Sequence, residues 1–149
     1  MTESTTEYSS FTIVHEFAAP VEKVYNMFAD KDLKESWFKG PTPSESEHTM
    51  DFSVGGSEYN KSVFNSQTHE FNAHYFDIVP NERIIYGYEM RLDGKKISVS
   101  LASLEFIDFE GSTKLLMHED GIFLDNVDSG TNREMGSKML LSALEAALQ

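Results

Sequence analysis

Ile84-Ile85-Tyr86-Gly87-Tyr88-Glu89-Met90-Arg91-Leu92 carries the clearest alternation in the chain. Ile84, Tyr86, Tyr88, Met90 and Leu92 share one face; Ile85, Gly87, Glu89 and Arg91 share the other. Successive side chains of a strand point to opposite faces, so this stretch predicts a strand with one apolar, largely aromatic face. Asp93-Gly94 follows at once, a pair suited to the positive φ angles of a two-residue hairpin. In the next strand Ile97, Val99 and Leu101 keep step, but Leu104 and Phe106 fall in the opposite parity. A one-residue shift turns every side chain over, so a bulge is expected near Ala102-Ser103. Gly111-Ser112 then turns the chain into a last strand through Leu115 and Met117.

Upstream, residues 69–79 read as a strand closed by Pro80-Asn81. Gly55-Gly56 predicts a tight turn between Asp51-Phe52-Ser53-Val54 and a strand holding Tyr59, Val63 and Phe64. Phe11, Ile13 and Phe17 mark a first strand, preceded by eight polar residues expected to be frayed. Pro20 suits the first turn of a helix carrying Val21, Val24, Tyr25 and Phe28 at helical spacing. Asp30 is placed to cap a second short helix that carries Leu33 and ends near Trp37-Phe38, stopped by Gly40, Pro41 and Pro43.

The period changes at the C-terminal end. Thr131 with Glu134 three residues on fits a capping box. Met135, Met139, Ala143 and Ala147 form a row flanked by Leu140, Leu144 and Leu148, which predicts a long amphipathic helix. The order is therefore one strand, two short helices, six strands in a meander and one long helix. It predicts a single α+β domain over residues 1–149. A curved antiparallel sheet has to cover its concave apolar face, and only the last helix is long enough to do so.

The chain has 149 residues, 40% of them hydrophobic and 12% aromatic, which excludes disorder. It contains no cysteine, so disulfides and thiolate chemistry are absent. A formal net charge of −13 disfavours nucleic acid and anionic membrane surfaces as partners. Met-Thr-Glu-Ser-Thr-Thr-Glu has neither the basic start nor the apolar run of a secretory signal, and the cytoplasm is the expected address.

No catalytic motif emerges. His69 and His74 lie at an odd offset and should point to opposite faces of a strand. His118-Glu119-Asp120 lacks the second histidine of a zinc helix. Asp120, Asp125, Asn126 and Asp128 miss the spacing of a calcium loop and read as a solvated acidic segment. Neither Gly55-Gly56-Ser57 nor Gly111-Ser112-Thr113-Lys114 matches a phosphate loop. No catalytic residue, metal or cofactor is assigned.

Several stretches, in order, resemble the START-like helix-grip superfamily (SRPBCC). More narrowly, they are similar to the domain named for the activator of Hsp90 ATPase. They are Phe17-Ala18-Ala19-Pro20-Val21-Glu22-Lys23-Val24-Tyr25, Trp37-Phe38, Phe52-Ser53-Val54-Gly55-Gly56, Val79-Pro80-Asn81-Glu82-Arg83-Ile84 and Thr113-Lys114-Leu115. The similarity spans roughly residues 10–148. It implies a cavity between the sheet and the last helix, and no shared catalytic residues. The family's closing helix often carries a Gly-Trp pair, whereas Gly136 is followed here by Ser137.

The residues expected to line that cavity are Trp37, Phe38, Phe52, Tyr86, Tyr88, Met90, Met135 and Met139. Methionine adapts its shape to a guest, and tyrosine and tryptophan bring polar tips to an apolar wall. The expected function is a non-catalytic binding domain for a small apolar or aromatic molecule, acting as monomer or dimer. The resemblance leaves two alternatives: a chaperone-accessory module with a protein partner, and an enzyme of the cyclase or dehydratase kind.

Overall fold

Alternation and turn chemistry produce seven strands and three helices in the computed structural model, which describes residues 4–39, 43 and 45–149. The elements are β1 (Thr6–Phe17), α1 (Val21–Ala29), α2 (Lys31–Glu35), β2 (Glu45–Met50), β3 (Ser57–Phe64), β4 (Gln67–Val79), β5 (Arg83–Leu92), β6 (Lys95–Phe109), β7 (Ser112–Leu124) and α3 (Gly130–Ala147). All strands pair antiparallel in one sheet of order β1-β7-β6-β5-β4-β3-β2. This is the helix-grip arrangement: the meander from β2 to β7 brings the chain back beside β1, and α3 closes the apolar face. None of the helices is long and apolar enough to cross a membrane among the described residues.

Asp93 and Gly94 both take positive φ, 51° and 82°, as the two-residue hairpin requires. Asn65-Ser66 and Glu110-Gly111 make the same kind of turn between β3 and β4 and between β6 and β7. Asp30 accepts a hydrogen bond from the Leu33 amide and caps α2, as its position predicts. Gly40 and Pro41, expected to stop that helix, lie outside the described residues.

The register corrects the expected bulge. Met90 pairs with Ser98 and Arg91 with Lys96, so the extra residue is Ile97, beside the hairpin. From Ser98 to Phe109 the pairing with β7 runs unbroken through Ala102-Ser103. The core side of β6 is Ser98, Ser100, Ala102, Leu104 and Phe106, all buried, while Val99 and Leu101 are exposed. Small residues occupy the inward positions where the apolar pattern points the other way.

Three further expectations shift. Thr6, Glu7 and Tyr8 are not frayed but pair with Leu124, Phe123 and Ile122; Met1 to Glu3 lie outside the described residues. The turn between β2 and β3 spans residues 51–56 rather than two glycines. Gly55 there takes φ of +86°, and a Cβ on Gly56 would come within 2.2 Å of the Asp51 carbonyl oxygen. The capping box gives way to Ser129, whose side chain accepts from the Asn132 amide. That places Gly130 in the first turn of α3, where a Cβ would fall 1.7 Å from Ser9 Oγ. The close approach of α3 to β1 selects the earlier start.

The helix also faces the sheet differently from its predicted row. Ser137, Leu141 and Leu144 are buried, with Leu140, Ala143 and Leu148 packed partly against the core. Met135 and Met139 are 59% and 68% exposed. Phe17, Val24, Phe28, Trp37, Leu104 and Leu115 complete the core from β1, α1, β6, β7 and the turn after α2.

Candidate functional site

The inward face of β5 presents Tyr86, Tyr88 and Met90 toward α3, and between them lies a cleft of about 640 Å³. Phe71 of β4 and Met117 and Glu119 of β7 extend the sheet wall. Phe28, Lys34, Trp37 and Phe38 form a second wall, and Arg133, Gly136, Met139 and Leu140 of α3 form the third. Trp37 is held by its indole N–H, which donates to the Met27 carbonyl at 2.9 Å.

The rings make a continuous arc. Trp37 meets Phe38 at 5.6 Å, Phe38 meets Phe71 at 5.1 Å, and Phe71 meets Tyr88 at 4.9 Å between centroids. Tyr88, Tyr86 and Tyr75 continue it at 5.9 and 6.2 Å. Offset and edge-on contacts at these separations stabilise the wall beyond simple area burial.

Six of the eight expected residues line this cleft: Trp37, Phe38, Tyr86, Tyr88, Met90 and, at its exposed rim, Met139. Phe52 does not. It packs against Tyr25 and Tyr75, at 6.1 and 4.9 Å. Met135 is outside the lining as well, because the α3 face that meets the sheet runs through Ser137, Leu141 and Leu144.

Sequence reasoning missed four charged residues. On α2, Leu33 is 41% exposed and Lys34 only 6%. Lys34 Nζ donates to Glu58 Oε1 at 2.7 Å, and Tyr75 donates to the same oxygen at 2.5 Å. His48 Nε2 lies 2.8 Å from Glu58 Oε2. Burial pushes the Glu58 carboxyl up, but Lys34, His48 and Tyr75 outweigh it and hold the group at about 2. Burial lowers the Lys34 ammonium, against the opposing pull of Glu58. Lys34 also sits 4.5 Å from the Phe38 ring centroid, a cation–π contact on the cleft wall.

The second group is Glu119, Tyr88 and Arg133. Tyr88 donates a short hydrogen bond to Glu119 and accepts one from Arg133 at 3.0 Å. Arg133 also reaches Ser98 Oγ at 2.9 Å and Asp128 at 3.1 Å. Burial raises the Glu119 carboxyl above the usual range, against Tyr88 and Arg133. The phenol of Tyr88 is raised by burial and by Glu119. A signal for Glu119 existed: it continues the inward parity of Leu115 and Met117. Arg133 lies one turn before Ser137 on the inward row of α3, and Lys34 carried no such sign.

Among the described residues no cluster of three or more histidine or carboxylate side chains is arranged to hold a metal ion. The sheet's outward face carries a larger, more open groove of about 1040 Å³, lined in part by Tyr8, Phe76, Val99, Leu101 and Ile122. The inner cleft is smaller but combines buried charges with an aromatic wall, the mix that ligand sites use.

Known structures share this fold. An uncharacterised protein from Rhizobium leguminosarum is 34% identical over 99% of this chain and 98% of its own, with a TM-score of 0.93. The Mll3558 protein from Rhizobium loti is 33% identical over 96% of this chain and 99% of its own, at 0.88. Protein CV1439 from Chromobacterium violaceum, 23% identical over 93% of this chain and 96% of its own, shares the fold at 0.74. No curated protein sequence matches the chain. The family model described as activator of Hsp90 ATPase homolog 1-like protein matches residues 18–149, and this chain belongs to that family.

Proposed function

We propose that this chain is a non-catalytic binding domain that takes a small apolar or aromatic molecule into the cleft between the sheet and α3. The observation that carries the reading is the aromatic arc from Trp37 to Tyr86, faced by a helix that leaves room at Gly136. A Cβ built on Gly136 meets nothing within 4 Å, although the residue lines the cleft. Glycine inside a helix costs about 1 kcal/mol relative to alanine, so the open space comes at the expense of helix stability.

Gly136→Leu tests this. The leucine side chain enters the cleft from a helix that tolerates it, so the variant should fold at least as well as the parent. Native mass spectrometry of gently purified protein should show an adduct of small-molecule size that the variant lacks. An undiminished adduct on the folded variant would place the guest elsewhere. The absence of any such adduct on the parent would overturn the reading. At free guest ~100 times its Kd, the parent alone should gain about 2.7 kcal/mol of stability.

A further inference from the structure

Three tyrosines stand in a row on the sheet wall, and two of their hydroxyls are already engaged. Tyr75 donates to Glu58 and Tyr88 donates to Glu119. Tyr86 stands between them, its ring 6.2 Å from Tyr75 and 5.9 Å from Tyr88, and lines the cleft. Its hydroxyl makes no hydrogen bond to any described residue. Lys34, on the same cleft, has three ammonium protons and places one on Glu58 Oε1, its one hydrogen bond among the described residues. Two donors with capacity to spare therefore border the aromatic wall of the cleft.

The charge of the lining runs against that of the protein. Lys34, Lys39 and Arg133 border the cleft against Glu119 and Asp128. The whole chain has twelve basic and twenty-five acidic residues. Arg133 already donates to Tyr88, Ser98 and Asp128, while the Tyr86 hydroxyl donates to no described residue and the Lys34 ammonium only to Glu58. A hydrocarbon guest would strip water from both without replacing its hydrogen bonds, and a cationic guest would meet Lys34 and Lys39.

Resting on the binding reading above, we propose that the guest carries an acceptor oxygen, a carbonyl or a carboxylate, on its aromatic or apolar body. The Tyr86 hydroxyl reads that oxygen by donating to it, with Lys34 as the second donor. Tyr86 is then the specificity-determining residue of the cleft. Burial, with Glu119, Tyr88 and Glu58 nearby, keeps its phenol protonated and so able to donate.

Four probes sharing one bicyclic body test this by calorimetry: indane, 1-indanone, indane-2-carboxylate and 2-aminoindane. Each is titrated into the parent and into Tyr86→Phe, which gives up no hydrogen bond among the described residues and should fold unchanged. The ketone or the carboxylate should bind the parent at least about tenfold more tightly than indane or the amine. Tyr86→Phe should remove about that factor and leave indane unaffected. Which of the two acceptors binds more tightly tells a neutral guest from an anionic one. Equal binding of indane and both acceptors, a preference for the amine, or acceptor binding unchanged in Tyr86→Phe would each overturn the inference while leaving the cleft a binding site. No binding by any probe at millimolar concentration would overturn both.

Discussion

Glu58 and Glu119 flank the same row of tyrosines, each buried and each accepting from a tyrosine hydroxyl, yet the protein sets them in opposite directions. Burial pushes both carboxyls up. At Glu58 a lysine ammonium at 2.7 Å, with His48 and Tyr75, overcomes that push. At Glu119 the nearest cation is Arg133 at 4.0 Å, which donates instead to Tyr88, Ser98 and Asp128. Burial wins there. Burial alone does not decide the charge of a carboxylate; the number and closeness of committed donors do.

The largest effect should come from breaking the tighter cluster. Glu58→Gln leaves the Lys34 ammonium buried without its counter-charge, and the loss should be about 3–5 kcal/mol in denaturant unfolding. A loss below about 1 kcal/mol would show that water reaches Lys34 and that the two sites differ less than their geometry implies.

Acid should reveal the same contrast. Glu58 is held at about 2 in the fold against an ordinary value of 4.5, so its stabilisation is complete above pH 4.5 and lost as pH falls toward 2. The span corresponds to about 3 kcal/mol. Glu119 has the reverse sign. Its raised carboxyl favours the fold below pH 4.5, and that contribution fades as pH rises through its folded value. Stability measured from pH 6 to pH 2 should therefore drop in the parent and flatten in Glu58→Gln. An equally steep drop in the variant would assign the acid response to other carboxylates.

The smallest effect should come from Glu119→Gln. The amide keeps the size of a group already driven toward its neutral form and still accepts from Tyr88, so the loss should be about 0.5–1.5 kcal/mol. A loss matching that of Glu58→Gln would mean that Arg133 holds Glu119 ionised, as Lys34 holds Glu58.

Much of this architecture was legible. Alternation at Ile84–Leu92, the Asp93-Gly94 turn and the Asp30 cap all act between near neighbours, and each reappears in the structure. The aromatic wall was legible too, because Tyr86, Tyr88 and Met90 share a parity that one face of a strand must keep. The errors fell where two elements compete for one surface. The row Met135–Met139 is as apolar as the row Leu140–Leu144, and only the packed fold shows that α3 turns Ser137, Leu141 and Leu144 inward, with Gly130 against Ser9. Along β6 the apolar pattern of Val99 and Leu101 yields to the bulge at Ile97, which puts Ser98 and Ser100 inward.

By itself the sequence determined the element order, the α+β class, the family and the face of β5 that lines the cleft. The order, the class and that face follow from periodicity and turn chemistry, which are properties of neighbours in the chain; the family rests on the resemblance of several ordered stretches. The tertiary structure alone decided how the buried charges pair and what they do. Lys34 and Glu58 are 24 residues apart, and Tyr88 and Arg133 are 45 apart. A charged side chain reads as solvated until its partner is in place, and no local pattern announces a partner brought in by the fold of the sheet.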